Sequence, residues 1–66
     1  MQIQVNGEPR ELPDASTVEA LLGLLGCKRD GIAVAVNMQV VPRSAWATRR
    51  LAEGERVEVI QAVGGG

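Results

Sequence analysis

The chain has 66 residues, with seven lysine or arginine residues against eight aspartate or glutamate residues and a formal net charge of −1. Because both signs are scattered along the chain, this balance argues against nucleic acid or an anionic membrane as the main partner. The sequence contains no histidine and a single cysteine, which leaves no Ser-His or Cys-His catalytic pair, no clustered metal ligands and no internal disulfide. We expect one cytoplasmic domain that is not itself an enzyme.

The N-terminal residues predict a β-hairpin. In "QIQV", Ile3 and Val5 alternate with glutamines and would share one face of a strand. Asn6 and Gly7 form the preferred pair for a type I′ turn, after which "EPREL" would return along the first strand. Pro9 has no N–H to donate to a neighbouring strand, so we expect the returning strand to lie at the edge of the sheet.

The segment after the hairpin predicts a helix over "STVEALLGLLG". Ser16 and Glu19 fit a capping box in which Ser16 begins the helix, although Thr17 could cap it instead. Gly26 suits the position just after the last helical turn, where a left-handed backbone ends many helices. Apolar residues at helical spacing predict one buried stripe, which consists of Val18, Leu21, Leu22 and Leu25.

The middle of the chain predicts two strands and a short helical segment. "IAVAVN" alternates bulky apolar residues with alanines, which is typical of a strand with one buried face. "MQVVP" predicts a short strand that ends at Pro42. "RSAWATRRL" predicts one or two helical turns with Ser44 as their cap.

The last predicted strand follows a turn at Glu53 and Gly54 and has two unlike faces. Val57 and Val59 would point to the core, which leaves Ile60 on the opposite face with no helix to cover it. An apolar patch on that face would consist of Ile60, Ala33, Ala35 and Ala62. Because exposed apolar patches mark interaction surfaces, we predict Ile60 and Ala62 as partner-docking residues.

Three other features favour a structural interpretation over a functional one. Trp46 is the only aromatic residue, and in such a sequence it favours cover of a small core over an interface. Cys27 is a lone thiol, and we interpret it as incidental. We interpret the acidic residues near the last strand as a solvated face; they are Glu53, Glu55 and Glu58.

The predicted order is β-β-α-β-β-(short helix)-β, which is similar to the β-grasp fold of ubiquitin. In that α+β fold, one main helix packs across a mixed sheet of four to five strands, and the first and last strands are parallel neighbours. The runs "VNMQVVPRSAW" and "LAEGERVEVI", which precede the terminal glycines, are more specific. With these runs the chain resembles the sulfur carrier proteins of thiamine thiazole biosynthesis. We expect a β-grasp domain over residues 1–62 and a flexible glycine-rich tail over residues 63–66.

The resemblance implies a function for the terminal "AVGGG". In that family the last glycine, here Gly66, is adenylated by a ubiquitin-activating-like adenylyltransferase that uses ATP and magnesium, and it then becomes a thiocarboxylate. The thiocarboxylate gives its sulfur to thiazole synthase, and a cysteine desulfurase is the sulfur source. Gly65 and Gly64 would present the terminus to the partner, although the family often has a residue with a side chain at the position of Gly64. The chain would bind no cofactor of its own.

Two alternatives remain open from the sequence. The small subunit of molybdopterin synthase shares the fold and the Gly-Gly end, but the "VPRSAW" run fits the thiazole carriers better. A ubiquitin-like modifier or a plain interaction module is a different class, in which the tail would form isopeptide bonds with lysines or have no chemistry. Co-purification with thiazole synthase or with the large molybdopterin synthase subunit would separate the first two.

Overall fold

The computed structural model describes residues 1–61, so the tail predicted over residues 63–66 lies outside the described residues. The elements are β1 (Gln2–Val5), β2 (Glu8–Glu11), α1 (Val18–Leu25), β3 (Ile32–Val36), β4 (Gln39–Val41), a 3₁₀ turn (Arg43–Ala45) and β5 (Arg56–Gln61). The five strands form one sheet in the order β2-β1-β5-β3-β4, in which β1 and β5 are parallel and the other pairs are antiparallel. The predicted order and mixed sheet are therefore confirmed.

Two tight turns set the register of the sheet. Asn6 and Gly7 have φ angles of 50° and 82°, the left-handed pair that a type I′ hairpin turn needs. The returning strand β2 lies at the edge of the sheet, with Pro9 opposite β1, as predicted. A second turn of this kind, at Asn37 and Met38 with φ angles of 50° and 69°, joins β3 to β4. This turn was not evident from the sequence, because methionine is uncommon at a left-handed position.

The helix begins one residue later than the capping-box prediction. The N–H of Ala20 donates to Thr17 Oγ1 at 3.1 Å, so Thr17 is the cap and the alternative assignment is correct. The Ser16 hydroxyl instead donates to the Pro13 carbonyl at 2.6 Å. The tertiary structure makes Thr17 the cap. Thr17 pairs with Arg50 in an isolated antiparallel β-bridge, and its backbone has the extended conformation that an N-cap residue needs.

The end of α1 follows the prediction. Gly26 has a φ of 70°, and its N–H donates to the Gly23 carbonyl at 3.2 Å. The N–H of Cys27 donates to the Leu22 carbonyl at 3.1 Å, which completes a Schellman motif. This motif ends the helix after eight residues, so α1 covers only part of the sheet.

The predicted cap at Ser44 is wrong. The 3₁₀ turn spans Arg43–Ala45, and the N–H of Ala45 donates to the Pro42 carbonyl at 2.8 Å. The turn therefore begins at Pro42, whose φ of −63° is set by its ring, and Ser44 lies inside it. Among residues 1–61, no side chain makes a capping hydrogen bond to this turn.

The core lies between α1 and one face of the sheet. Trp46 is 2% exposed, and its Nε1–H donates to the Val41 carbonyl at 2.9 Å, so its structural interpretation is confirmed. The buried apolar side chains are Ile3, Val5, Leu12, Val18, Leu21, Leu22, Val34, Val36, Val41, Trp46, Leu51 and Val57.

Within residues 1–61, the structure contains no helix with the length and apolar composition of a membrane span.

Candidate functional site

The last strand, β5, presents its two faces to different surroundings. Val57 is buried in the core and Val59 is half-buried against it, which confirms the predicted facing. Ile60 alternates with these residues and so points to the side of the sheet that lacks the helix, where it is 55% exposed. The predicted docking residue is therefore accessible.

Neighbouring strands extend this apolar surface. Ala33 on β3 lies opposite Ile60, and Ala35 on the same strand lies opposite Val40 on β4. Val40 is 76% exposed. We call the four residues Ile60, Ala33, Ala35 and Val40 the open-face patch. Because β3 lies between β5 and β4, two short alanine side chains separate the larger Ile60 and Val40.

Val40 was not among the residues predicted for this patch. The run "MQVVP" contains two valines, and only the register of the Asn37–Met38 turn decides which one faces the core. Val41 lies opposite Val34 and is buried, whereas Val40 faces out. Asn37 was the local signal that could have indicated the turn, because asparagine is enriched at left-handed positions.

The remaining predicted site residues follow directly after β5. Gln61 is the last described residue and lies opposite Ile32 on β3. The docking residue Ala62 and the tail residues Gly64, Gly65 and Gly66 lie outside the described residues. Their assigned roles stay predictions.

Glu55 departs from the solvated face predicted for the acidic residues near β5. Its side chain is 15% exposed, and its Oε2 accepts from Arg49 Nη2 at 3.0 Å and from Asn37 Nδ2 at 3.1 Å. The hydrogen bond from Arg49 is the main reason that the pKa of the Glu55 carboxyl is lowered, although partial burial opposes the shift. Glu55 is therefore a structural residue with fixed partners.

The other two acidic residues differ from each other. Glu53 Oε1 accepts from the Gln2 N–H at 3.0 Å, so this exposed carboxylate also has a backbone partner. Glu58 is exposed on the open face of β5 and fits the predicted solvated face. Of the three acidic residues, only Glu58 fully fits the prediction of a solvated face.

Cys27 lies just beyond the end of α1, half-buried against the core. Among residues 1–61, no group of three or more histidine, cysteine or acidic residues is placed to hold a metal ion. Within that part of the chain, the open-face patch is the candidate functional site, and its Ile60 immediately precedes the last described residue, Gln61.

Comparison with known proteins identifies the family. The sequence model of the ThiS family matches residues 3–66. The chain belongs to the ThiS family. The sulfur carrier protein ThiS of Escherichia coli is 35% identical over 66 residues, which is the full length of both chains. The ThiS match confirms the resemblance stated from the sequence.

Solved structures of ThiS proteins agree with the fold. The crystal structure of the thiamine biosynthesis protein ThiS from Geobacter metallireducens superposes with a TM-score of 0.86 at 29% identity, and the match covers all of both chains. The β-grasp prediction is thereby confirmed.

Some ThiS-like sequences occur within longer chains. A thiazole synthase of Paramagnetospirillum magneticum is 39% identical over 66 residues, and one of Magnetococcus marinus is 38% identical over 66 residues. The chain spans about a fifth of the length of these two relatives, since 20% of each is covered. A ThiS-like region and a thiazole synthase can thus share one polypeptide.

Proposed function

We propose that this chain is a sulfur carrier of thiamine biosynthesis, and that Gly66 is the residue that carries sulfur. The observation that supports this most strongly is the ThiS family match, which extends through the terminal glycines to residue 66. The full-length similarity to the Escherichia coli sulfur carrier supports the same function. The chain is then a carrier on which partner enzymes act, and we place it in the cytoplasm.

The chemistry follows from the properties of a C-terminal carboxyl group. Its pKa is about 3.5, so near neutral pH it is a carboxylate and a poor electrophile. An adenylyltransferase that uses ATP and magnesium attaches AMP to Gly66 and releases pyrophosphate. The outer sulfur of a persulfide, which carries sulfur from a cysteine desulfurase, attacks the acyl carbon and displaces AMP. A thiol then reduces the resulting acyl disulfide, which releases the thiocarboxylate and leaves a disulfide. Gly64 and Gly65 lack side chains that would obstruct entry into a narrow cleft.

We propose thiazole synthase as the enzyme that receives the sulfur. The two thiazole synthases that contain a region similar to this whole chain support that pairing, because domains joined in one polypeptide in some organisms commonly act together in others. The open-face patch, together with Ala62, is the proposed docking surface for the activating partner. Its exposed Ile60 and Val40 supply apolar area of the kind that interfaces bury.

The proposal is tested by the chemical state of the terminus. The 66-residue chain is incubated with the adenylyltransferase, ATP, magnesium and a sulfur source. We expect one terminal oxygen to be replaced by sulfur. Because the mass gain is close to that of oxidising Met1, Met38 or Trp46, the product is also alkylated with a thiol reagent in a Cys27→Ser background.

Two variants serve as controls for the position of the chemistry. Deleting Gly66, or adding one residue after it, should abolish the alkylated product, because the reacting carboxyl group is displaced from the partner's active site. Alkylation of the tail that persists in either variant would contradict the assignment of Gly66.

A further inference from the structure

The last strand, β5, is paired along its whole length on only one flank. On that flank β3 pairs with it as far as Gln61, which lies opposite Ile32. On the other flank β1 pairs with it at Arg56 and Val57, and the N–H of Asn6, just after β1, donates to the Val57 carbonyl at 2.9 Å. The chain then turns away into the hairpin, so within residues 1–61 no strand lies beside the end of β5 on this flank.

The side chain of Asn6 takes the place of the missing strand. Its Oδ1 accepts from the Val59 N–H at 2.9 Å, and its Nδ2 donates to the Val59 carbonyl at 3.3 Å. One carboxamide thus satisfies both backbone groups of Val59, as a peptide unit of a neighbouring strand would. We call this pair of hydrogen bonds the Asn6 clamp.

The type I′ turn alone does not account for an asparagine at this position. Such a turn needs a left-handed backbone, which Asn6 has with a φ of 50°, but glycine and aspartate also suit the turn. Neither glycine nor an ionised aspartate can donate to a carbonyl while it accepts from an N–H. The carboxamide therefore serves the clamp in addition to the turn.

We propose that Asn6 is a positioning residue for partner docking and that it acts through Ile60. The Val59 carbonyl and the Ile60 N–H belong to one planar peptide unit, so a hydrogen bond to that carbonyl restricts the backbone that carries Ile60. Ile60 belongs to the open-face patch, and this role rests on the proposed function, in which that patch contacts the adenylyltransferase. The clamp holds Ile60 in a fixed direction before the partner arrives, so less conformational freedom is lost on binding.

The second left-handed turn offers a matched control. Asn37 also has a φ of 50°; its Oδ1 accepts from the Arg56 N–H at 3.0 Å, and its Nδ2 donates to Glu55 Oε2 at 3.1 Å. These hydrogen bonds hold the start of β5, whereas the Asn6 clamp holds its end. Asn6→Gly and Asn37→Gly each keep a backbone that favours the turn and remove two side-chain hydrogen bonds, but only Asn6→Gly releases the end of β5.

Amide hydrogen exchange tests the clamp itself in the full 66-residue chain. We expect the Val59 N–H to exchange several-fold faster in Asn6→Gly than in the parent protein, because it loses its acceptor. Asn37→Gly should leave this rate unchanged. An unchanged rate in Asn6→Gly, or the same increase in both variants, would overturn the clamp.

Steady-state adenylation tests the positioning role, with pyrophosphate release measured against the concentration of the chain. Asn6→Gly should raise KM several-fold and leave kcat unchanged, because docking weakens while the reacting terminus stays intact. Asn37→Gly should keep the KM and kcat of the parent, and circular dichroism checks that both variants are folded. A normal KM for Asn6→Gly, or an equal rise in both variants, would overturn the positioning role.

A double-mutant cycle identifies the residue through which Asn6 acts. Once Ile60→Ala has removed the larger side chain, adding Asn6→Gly should raise KM no further. Asn6→Gly combined with Val40→Ala should instead multiply the two increases, because Val40 is held on β4. Increases that multiply in both cycles would overturn the action through Ile60. If the parent chain itself releases no pyrophosphate, the proposed function is contradicted and the positioning role falls with it, whereas a normal parent with an unaffected Asn6→Gly variant contradicts only the positioning role.

Discussion

Arg49 and Glu55 form an ion pair at the start of the last strand, with 3.0 Å between Arg49 Nη2 and Glu55 Oε2. The other carboxylate oxygen of Glu55 accepts from the Ala52 N–H at 2.7 Å. Asn37, in the turn between β3 and β4, donates to Glu55 and accepts from the Arg56 N–H at 3.0 Å. One carboxylate thereby ties the turn after β3 to the loop that leads into β5.

Glu55→Gln should lower the free energy of unfolding near neutral pH by roughly 1–3 kcal/mol, because it removes charge-assisted hydrogen bonds. In the parent protein this contribution is complete above the ordinary carboxyl pKa of about 4.5 and is lost as the pH falls through the lower pKa of folded Glu55. Urea midpoints measured from neutral to acidic pH should therefore fall less steeply for the variant. Glu58→Gln, which changes an exposed carboxylate on the open face, is the control and should keep the parent midpoint near neutral pH.

The helix cap gives a matched pair of variants. Thr17→Ala should cost about 1 kcal/mol, since the Ala20 N–H loses its acceptor. Ser16→Ala removes only the hydrogen bond to the Pro13 carbonyl at the surface, so its cost should be smaller. Thermal unfolding monitored by circular dichroism shows which of the two variants loses more stability. The reverse ranking would restore Ser16 as the cap.

Two glycines of the helix region should respond in opposite directions to alanine. A Cβ at Gly23 would meet no atom within 4 Å, so Gly23→Ala should stabilise the protein by about 1 kcal/mol and raise its Tm by roughly 4–8 °C. Gly26 has a φ of 70°, so Gly26→Ala should lower the Tm despite equally open space. A decrease in Tm for both variants would contradict the helical position of Gly23.

The open-face patch predicts a defect in activation without a defect in folding. Ile60→Asp and Val40→Asp should keep the circular dichroism spectrum of the parent, because both side chains are already largely exposed. Each should lower the efficiency of adenylation, measured as pyrophosphate release, about tenfold or more, which corresponds to about 1.4 kcal/mol of lost contact. Gln4→Asp puts the same charge on the open face of β1 and should have a normal rate. Normal rates for both patch variants would place the docking surface elsewhere.

Much of the fold follows from local patterns in the sequence. Alternation in "QIQV" and "IAVAV", the Asn6–Gly7 pair and the stripe from Val18 to Leu25 each depend on residues close together in the chain. Backbone preference and burial act over those few positions, so strands, hairpin and helix could be predicted. The terminal glycines and the runs before them likewise indicated the family from the sequence alone.

The open-face patch could be predicted only in part. Ile60 was evident from the alternation in β5, whereas Val40 joins it across an intervening strand. Val40 belongs to the patch because the turn at Asn37 and Met38 sets the register of β4. That turn was hard to recognise in the sequence, because methionine is uncommon in a left-handed conformation.

Other features depended on residues that only the tertiary structure brings together. Thr17 caps the helix with an extended backbone, and the same residue pairs with Arg50 in an isolated β-bridge. Glu55 is structural because Arg49 and Asn37 reach its carboxylate. Hydrogen bonds and contacts between residues far apart in the chain leave no local pattern in the sequence, because they form only when the sheet has assembled.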